Sequence, residues 1–216
     1  MSGRPFPPVV WAIIPVKPLL TSKNRLAHIL SPAARAQLIG DFLARMLAEL
    51  LQVDGLAQIV LVSSDPAVEA LARRFGVLLL VEERPLGLNT AVTQAAHLAA
   101  ARGADAVLIL PADLPFLQAT DVDYLLDQLA DAPSLVICSD GRADGTNALL
   151  LSPPDAFTFQ YGPDSLQKHL REAEVRKMVS KVVQRPGLQF DLDTENDWQI
   201  YQNARYGVSG VEIRVS

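Results

Sequence analysis

The sequence predicts an α/β fold: one domain with a mostly parallel, doubly wound sheet and helices on both faces. Short apolar runs such as Val107, Leu108, Ile109 and Leu110 recur between amphipathic stretches, and near-continuous apolar strands belong to parallel sheets covered on both faces. Strand and helix signals alternate from one end to the other, as the crossover connections of parallel strands require. The chain has 216 residues, half of them hydrophobic and a fifth charged, which suits one large core and is too apolar for disorder. No linker-like or repeated segment divides it, and Pro153-Pro154 reads as a turn, so residues 1–216 are expected to form a single domain.

Each element has its own signal. The first strand is expected over 9–15. Ser31 is an N-cap with Pro32 at the first helical position, and Leu38, Phe42, Leu43, Met46, Leu47 and Leu50 then recur at helical spacing. A strand follows over 58–62, and Asp65-Pro66 opens a short helix that runs through Phe75 and ends at Gly76. The third strand is expected over 77–81. Asn89, read as an N-cap, opens an alanine-rich amphipathic helix over 89–101 closed by Gly103. It leads into the strand that ends in Pro111-Ala112-Asp113-Leu114-Pro115. Beyond lie a helix from about Thr120, strands over 135–138 and 147–151, a helix over 163–172 opened by Pro163, a strand over 178–183 and a helix from Thr194.

Composition narrows the function classes. A net charge of -5 argues against a broad nucleic-acid surface, which needs an excess of Lys and Arg. No apolar run approaches the roughly 20 residues that span a bilayer, and no basic-then-apolar leader opens the chain, so a cytoplasmic protein without a membrane partner is expected. Cys138 is the one cysteine; it can form no internal disulfide and reads as a small apolar strand residue, and no Cys and His cluster has zinc spacing.

Candidate chemistry gathers where strands end. Asp113 follows one apolar run, and Asp191 and Asp193 follow another. Ligands of doubly wound sheets collect at that edge, although each acid could instead cap the helix after it. Two such carboxylates could share one magnesium ion with phosphate oxygens and water. Of the pair, Asp193 is expected to face the metal and Asp191 the opposite side. Lys17, Lys23 and Arg25 are three cations within nine residues after the first strand, placed to brace a triphosphate. Their loop has no glycine, so neither G-x-G-x-x-G nor G-x-x-x-x-G-K-[ST] fits, and side chains must hold the phosphates. Gly87, Leu88 and Asn89 are expected at the nucleotide edge of the cleft, with Asn89 either capping a helix or reading a base. His28, His97 and His169 have no partner acid at catalytic spacing and are expected to be structural or surface residues.

These residues carry a resemblance. Ile14-Pro15-Val16-Lys17, Ser22-Lys23-Asn24-Arg25-Leu26, and Leu30-Ser31-Pro32 with Arg35 resemble the opening of the 2-phospho-L-lactate guanylyltransferase family. The likeness continues through Gly87-Leu88-Asn89, Pro111-Ala112-Asp113-Leu114-Pro115, Asp144-Gly145-Thr146-Asn147, Tyr161-Gly162-Pro163-Asp164-Ser165 and Asp191-Leu192-Asp193-Thr194. It spans nearly the whole chain, and the ordered set is specific. One departure is Glu195 after Thr194, where relatives often have proline; it blurs the register of the last acidic motif.

The resemblance implies the nucleotide-diphospho-sugar transferase-like fold of the molybdenum-cofactor guanylyltransferases and a role in deazaflavin coenzyme F(420) biosynthesis. It implies magnesium on Asp113 and the Asp191/Asp193 pair, and a phosphorylated acid on Thr146, Gly162 and Ser165. A hydroxyl, a turn N–H and a second hydroxyl make a compact anion cradle. Lys168 would point to solvent or add charge there. The expected reaction is magnesium-dependent transfer of GMP from GTP to phosphoenolpyruvate, 2-phospho-L-lactate or 3-phospho-D-glycerate, with a mild preference for the first. Apolar faces on the C-terminal helices would suit a homodimer. Transfer to a molybdenum cofactor or a sugar phosphate is the alternative within enzymes, and a nucleotide-binding module without catalysis is the alternative outside them.

Overall fold

The computed structural model describes residues 7–84 and 86–206. Its first strand, β1 (Val10–Pro15), shows why the sheet is buried on both sides. Val10, Ala12 and Ile14 enter one apolar layer while Trp11 and Ile13 enter the other, the two-residue alternation of a strand covered on both faces. Around it run β2 (Leu56–Ser63), β3 (Leu78–Val81), β4 (Ala106–Ile109), β5 (Ser134–Ser139), β6 (Thr146–Ser152) and β7 (Val179–Val183). They form one seven-stranded sheet in the order β3-β2-β1-β4-β6-β5-β7. All neighbours are parallel except the two pairs made by β6, which runs antiparallel between β4 and β5.

Helices cover both faces. One layer receives α1 (Pro32–Leu50), α2 (Pro66–Phe75), α4 (Ala119–Asp127), α6 (Pro186–Gln189) and α7 (Glu195–Tyr206); the other receives α3 (Leu88–Ala101) and α5 (Ser165–Val175). Ser31 Oγ accepts from Ala34 N at 3.2 Å, and Gly76 closes α2 in the left-handed conformation, both as the sequence predicts. Asp65 does more than cap α2. One carboxyl oxygen accepts from Ala67 N at 2.8 Å while the other accepts from Leu19 N at 2.7 Å, which ties the loop after β1 to the start of α2.

The structure adjusts several expected boundaries. α3 begins at Leu88 with Gly87 as its N-cap at φ 97°, so Asn89 is not the cap. α5 begins at Ser165 after Asp164 rather than at Pro163. The short helix α6 has no counterpart in the sequence reading.

Register sets the position of the functional edge. Ile13 of β1 lies beside Ile109 of β4, so the loops after both strands leave the sheet together. Because β6 is antiparallel, with Leu149 beside Ile109, its first residue Thr146 arrives at that same edge. The last acidic motif reaches the edge through α6, where Arg185 Nε donates to the buried Asp121 at 2.8 Å. Gly187 leaves room for that pair: a Cβ there would stand 2.1 Å from Asp121 Oδ2 and 2.8 Å from the Phe116 carbonyl. Gly187→Ala is therefore expected to lower stability by about 1–3 kcal/mol through forced displacement, and to lower activity by moving the segment that carries Asp191 and Asp193. Chemical denaturation together with an activity assay checks this; an unchanged unfolding midpoint contradicts it.

Candidate active site

A cavity of about 800 Å³ opens at the edge where β1 and β4 end, with Lys17, Lys23, Arg25, Gly87, Leu88, Asp113 and Asp193 in its wall. At its floor the Lys23 ammonium donates to Asp113 and, at 2.7 Å, to Asp193 Oδ1. Arg25 reaches the other oxygen of Asp193 at 3.5 Å from an exposed position. The Lys23 side chain is only 6% exposed, and its backbone is left-handed at φ 53°, ψ 43°, a conformation that costs a non-glycine residue free energy and clusters at functional sites. Burial works against its charge, but the two carboxylates outweigh that and hold its pKa above the ordinary lysine value. Burial likewise acts to raise Asp193, but the charge and hydrogen bond of Lys23, with help from Arg25 and Arg142, hold it below the usual carboxylate range.

Asp191 does not turn to the opposite side. Residues two apart in an extended segment share a face; Leu192 between them is fully buried in the core. Asp191 is pushed up to about 6, first by burial and then by the charges of Asp113 and Asp193, against a weak bond from Asn147 at 3.4 Å. The register after Thr194 is fixed without proline. Asp197 accepts from the backbone N–H groups of Asp193 and Thr194 at 3.1 and 2.7 Å, and from the Thr194 hydroxyl at 2.8 Å. Thr194 Oγ1 accepts in return from Asp197 N at 3.3 Å, a capping box that holds Asp193 at the cavity.

The predicted acceptor residues also meet. Thr146, Ser165 and His169 are buried together: Ser165 Oγ lies 3.2 Å from Thr146 Oγ1, and His169 Nδ1 lies 3.0 Å from the same oxygen. Gly162 stands beside them in a turn at φ 124°, where a side chain would be strained. Asp144 links the two motifs by accepting from Asp164 N at 3.0 Å through its side chain and from Leu166 N at 3.1 Å through its carbonyl. Asn147, next to Thr146, touches Asp191, so this cluster adjoins the acidic one.

Asn89 and Lys168 have other tasks here. The Asn89 amide accepts from Tyr161 N at 2.7 Å and donates to Tyr161 O at 3.3 Å, a strut between α3 and the Gly162 turn. Lys168 donates to the Pro163 carbonyl at 2.7 Å. Sequence reasoning passed over Glu82, which lines the cavity and whose pKa burial raises. It also set His169 aside as structural, although Ser165 and His169 stand four apart on one helical face, a spacing that could have joined them.

The donor set suits a hard cation. Carboxylate oxygens are its preferred ligands, and the Lys23 ammonium already stands as a cation between Asp113 and Asp193. Among the described residues no three acidic, His or Cys side chains converge as a ready-made metal site. The preformed pair is Asp113 and Asp193.

A buried neutral imidazole gives a pH signature. Burial above all, aided by Lys168 and opposed by Glu172, lowers the His169 pKa to about 4. The unfolded chain takes up that proton near pH 6.5 and the folded chain only near 4, so between these values the unfolded state binds more protons. Stability is therefore lost as pH falls from about 6.5 to about 4, by about 3 kcal/mol in the limit. Unfolding curves of the wild type and His169→Gln over this range should diverge, with the wild type falling more steeply; parallel curves contradict the assignment.

A strand-edge cavity with cations over a carboxylate pair suits chemistry on phosphates, and the relatives make this chain a nucleotidyltransferase. Across 93% of this chain and 99% of its own, a nucleotidyl transferase from Methanothermobacter has the same fold, with a TM-score of 0.70 at 13% identity. The chain belongs to the guanylyl transferase CofC-like family, whose pattern matches residues 10–201. It is 42% identical over 188 residues to phosphoenolpyruvate guanylyltransferase of Rubrobacter xylanophilus, covering 87% of this chain and 91% of that protein. It is 32% identical to 3-phospho-D-glycerate guanylyltransferase of Colwellia psychrerythraea, covering 87% and 89%. The protein is accordingly a guanylyltransferase, and no helix among the described residues is long and apolar enough to cross a membrane.

Proposed function

We propose that the protein transfers GMP from GTP to the phosphate of a small phospho-acid, with phosphoenolpyruvate first among the acceptors, 2-phospho-L-lactate and 3-phospho-D-glycerate being the others, as a step toward deazaflavin coenzyme F(420) in the cytoplasm. The observation that carries this is the Lys23 ammonium held between Asp113 and Asp193 at the floor of the strand-edge cavity. The names of the relatives from Rubrobacter and Colwellia support the acceptor class.

In this reading Lys17, Lys23 and Arg25 bind the GTP phosphates, and Gly87 and Leu88 line the nucleotide end of the cavity. Thr146, Ser165 and the turn at Gly162 bind the acceptor. A phosphate oxygen of the acceptor attacks the α-phosphorus in line; the new P–O bond forms as the bond to the β-phosphate oxygen breaks, and pyrophosphate leaves with the electron pair. The acceptor is already ionised at neutral pH, so no residue need remove a proton, and the chain's contribution is positioning and neutralisation of charge. Asp113 and Asp193, with Asp191 beside them, would hold magnesium, which offsets charge on the transferring phosphates.

Mass spectrometry of a reaction with GTP, magnesium and phosphoenolpyruvate tests the reading through its product, the guanylylated acid; intact GTP after prolonged incubation with all three phospho-acids contradicts it. Thr146→Val should raise the acceptor KM about tenfold by removing one buried hydrogen bond, with the GTP KM unchanged. Equal acceptor KM values in the two proteins would remove Thr146 from the site.

A further inference from the structure

Resting on the reading of Thr146, Gly162 and Ser165 as the acceptor site, we propose that His169 is a positioning residue that fixes the hydrogen-bond polarity of this cradle, so that it offers a hydroxyl hydrogen to an ionised oxygen of the acceptor.

The argument begins with the ring, which has no exposed surface. Its Nε2 lies 2.9 Å from the backbone N of Gln160, and its Nδ1 lies 3.0 Å from Thr146 Oγ1. A backbone N–H can only donate, so Nε2 must carry the lone pair, and the hydrogen of the neutral ring sits on Nδ1. Nδ1–H therefore donates to Thr146. Thr146 and Ser165 hold two hydroxyl hydrogens between them, and one is used in their mutual contact at 3.2 Å. The ring cannot take the second, since its only lone pair is occupied. That hydrogen is left to leave the cluster as a donor. In the opposite tautomer the ring would absorb it, and the cradle would turn lone pairs toward an anion.

The surroundings hold this choice in place. The imidazole packs edge-on against Tyr161 at 4.8 Å and, tilted by 46°, against Phe157 at 5.6 Å. Turning the ring over would strand the Gln160 N–H without a partner, at the cost of a buried unsatisfied donor. A cradle with a hydroxyl hydrogen left to donate favours phosphate or carboxylate oxygens, a preference that direct contacts to Thr146 and Ser165 alone would leave open.

The test joins a spectroscopic and a kinetic readout. Nitrogen-15 spectra of the histidine rings in the wild-type protein should show His169 protonated at Nδ1 and bare at Nε2. Kinetics with GTP, magnesium and phosphoenolpyruvate should then separate two variants. The amide of Gln reaches about as far as Nε2 and that of Asn about as far as Nδ1, so His169→Gln keeps the Gln160 contact and loses the donor to Thr146, whereas His169→Asn does the reverse. His169→Gln should raise the phosphoenolpyruvate KM about tenfold, the worth of one hydrogen bond, with the GTP KM unchanged, and His169→Asn should recover most of that loss. A ring protonated at Nε2, an unchanged acceptor KM in His169→Gln, or a parallel rise of both KM values in both variants would overturn the proposal. Wild-type protein that makes no product with any phospho-acid would refute the acceptor reading instead, and the tautomer would still decide the polarity assigned to the ring.

Discussion

Asp113→Ala is expected to reduce turnover on the order of a thousandfold or more, the scale of losing a preorganised electrostatic group at a reacting phosphate, while leaving the fold intact. Among the described residues the Asp113 side chain is hydrogen-bonded only to Lys23, and its backbone carbonyl still accepts from Leu192 N at 3.4 Å. The substitution removes one of the two carboxylates that flank the ammonium but no core contact. Lys23 retains Asp193, so no buried charge is left alone. Circular dichroism and a melting curve establish the fold, and pyrophosphate release measures the turnover. A folded Asp113→Ala protein with near-normal magnesium-dependent activity would remove Asp113 from the metal site.

Lys23→Met is expected to be nearly as damaging and to alter stability as well. Methionine keeps the apolar stem but deletes the charge that Asp113 and Asp193 share. Asp113 and Asp193 then face each other at the cavity floor without their shared cation, and Asp191 feels the charge of both. Breaking a wholly buried pair costs about 3–5 kcal/mol, and these carboxylates are partly exposed, so about 2 kcal/mol at neutral pH is the expected loss. The pH dependence supplies a sign. In the wild type, the depressed pKa of Asp193 gives a stability contribution that is lost as pH falls through that value. In Lys23→Met the ammonium no longer opposes the burial and like charges that already raise Asp191 to about 6, so its protonation relieves repulsion and stability should rise as pH falls from 7 toward 5. Added magnesium should raise the melting temperature of the variant more than that of the wild type, since the freed carboxylates can take a cation in place of the ammonium. Matching pH and magnesium responses in the two proteins would contradict this picture.

What could be read from the sequence followed from local chemistry. The apolar runs located β1 and β4, and the rule that ligands collect at the ends of parallel strands brought Lys17, Lys23, Arg25 and Asp113 to one edge before any contact was known. Distance in sequence hid the rest. Lys23 is held by carboxylates 90 and 170 residues further on, and no local signal marks a lysine for burial. Asn89 reads as a cap, but its amide is claimed by Tyr161, 72 residues away, and Gly87 takes the helix start. Asp191 is a different case: the two-residue period of an extended chain was available and places it beside Asp193. The His169 tautomer required the Gln160 contact, which depends on how residues 157–161 fold back over α5.

The central claim is guanylyl transfer to a phospho-acid at the Lys23, Asp113 and Asp193 site. Its most direct test is pyrophosphate release with GTP and magnesium, run with phosphoenolpyruvate, 2-phospho-L-lactate and 3-phospho-D-glycerate in turn and repeated with ATP and CTP. Release that needs both GTP and one of these acids, strongest with phosphoenolpyruvate, is the predicted result. Protein that binds GTP yet releases no pyrophosphate with any of the three would contradict the account.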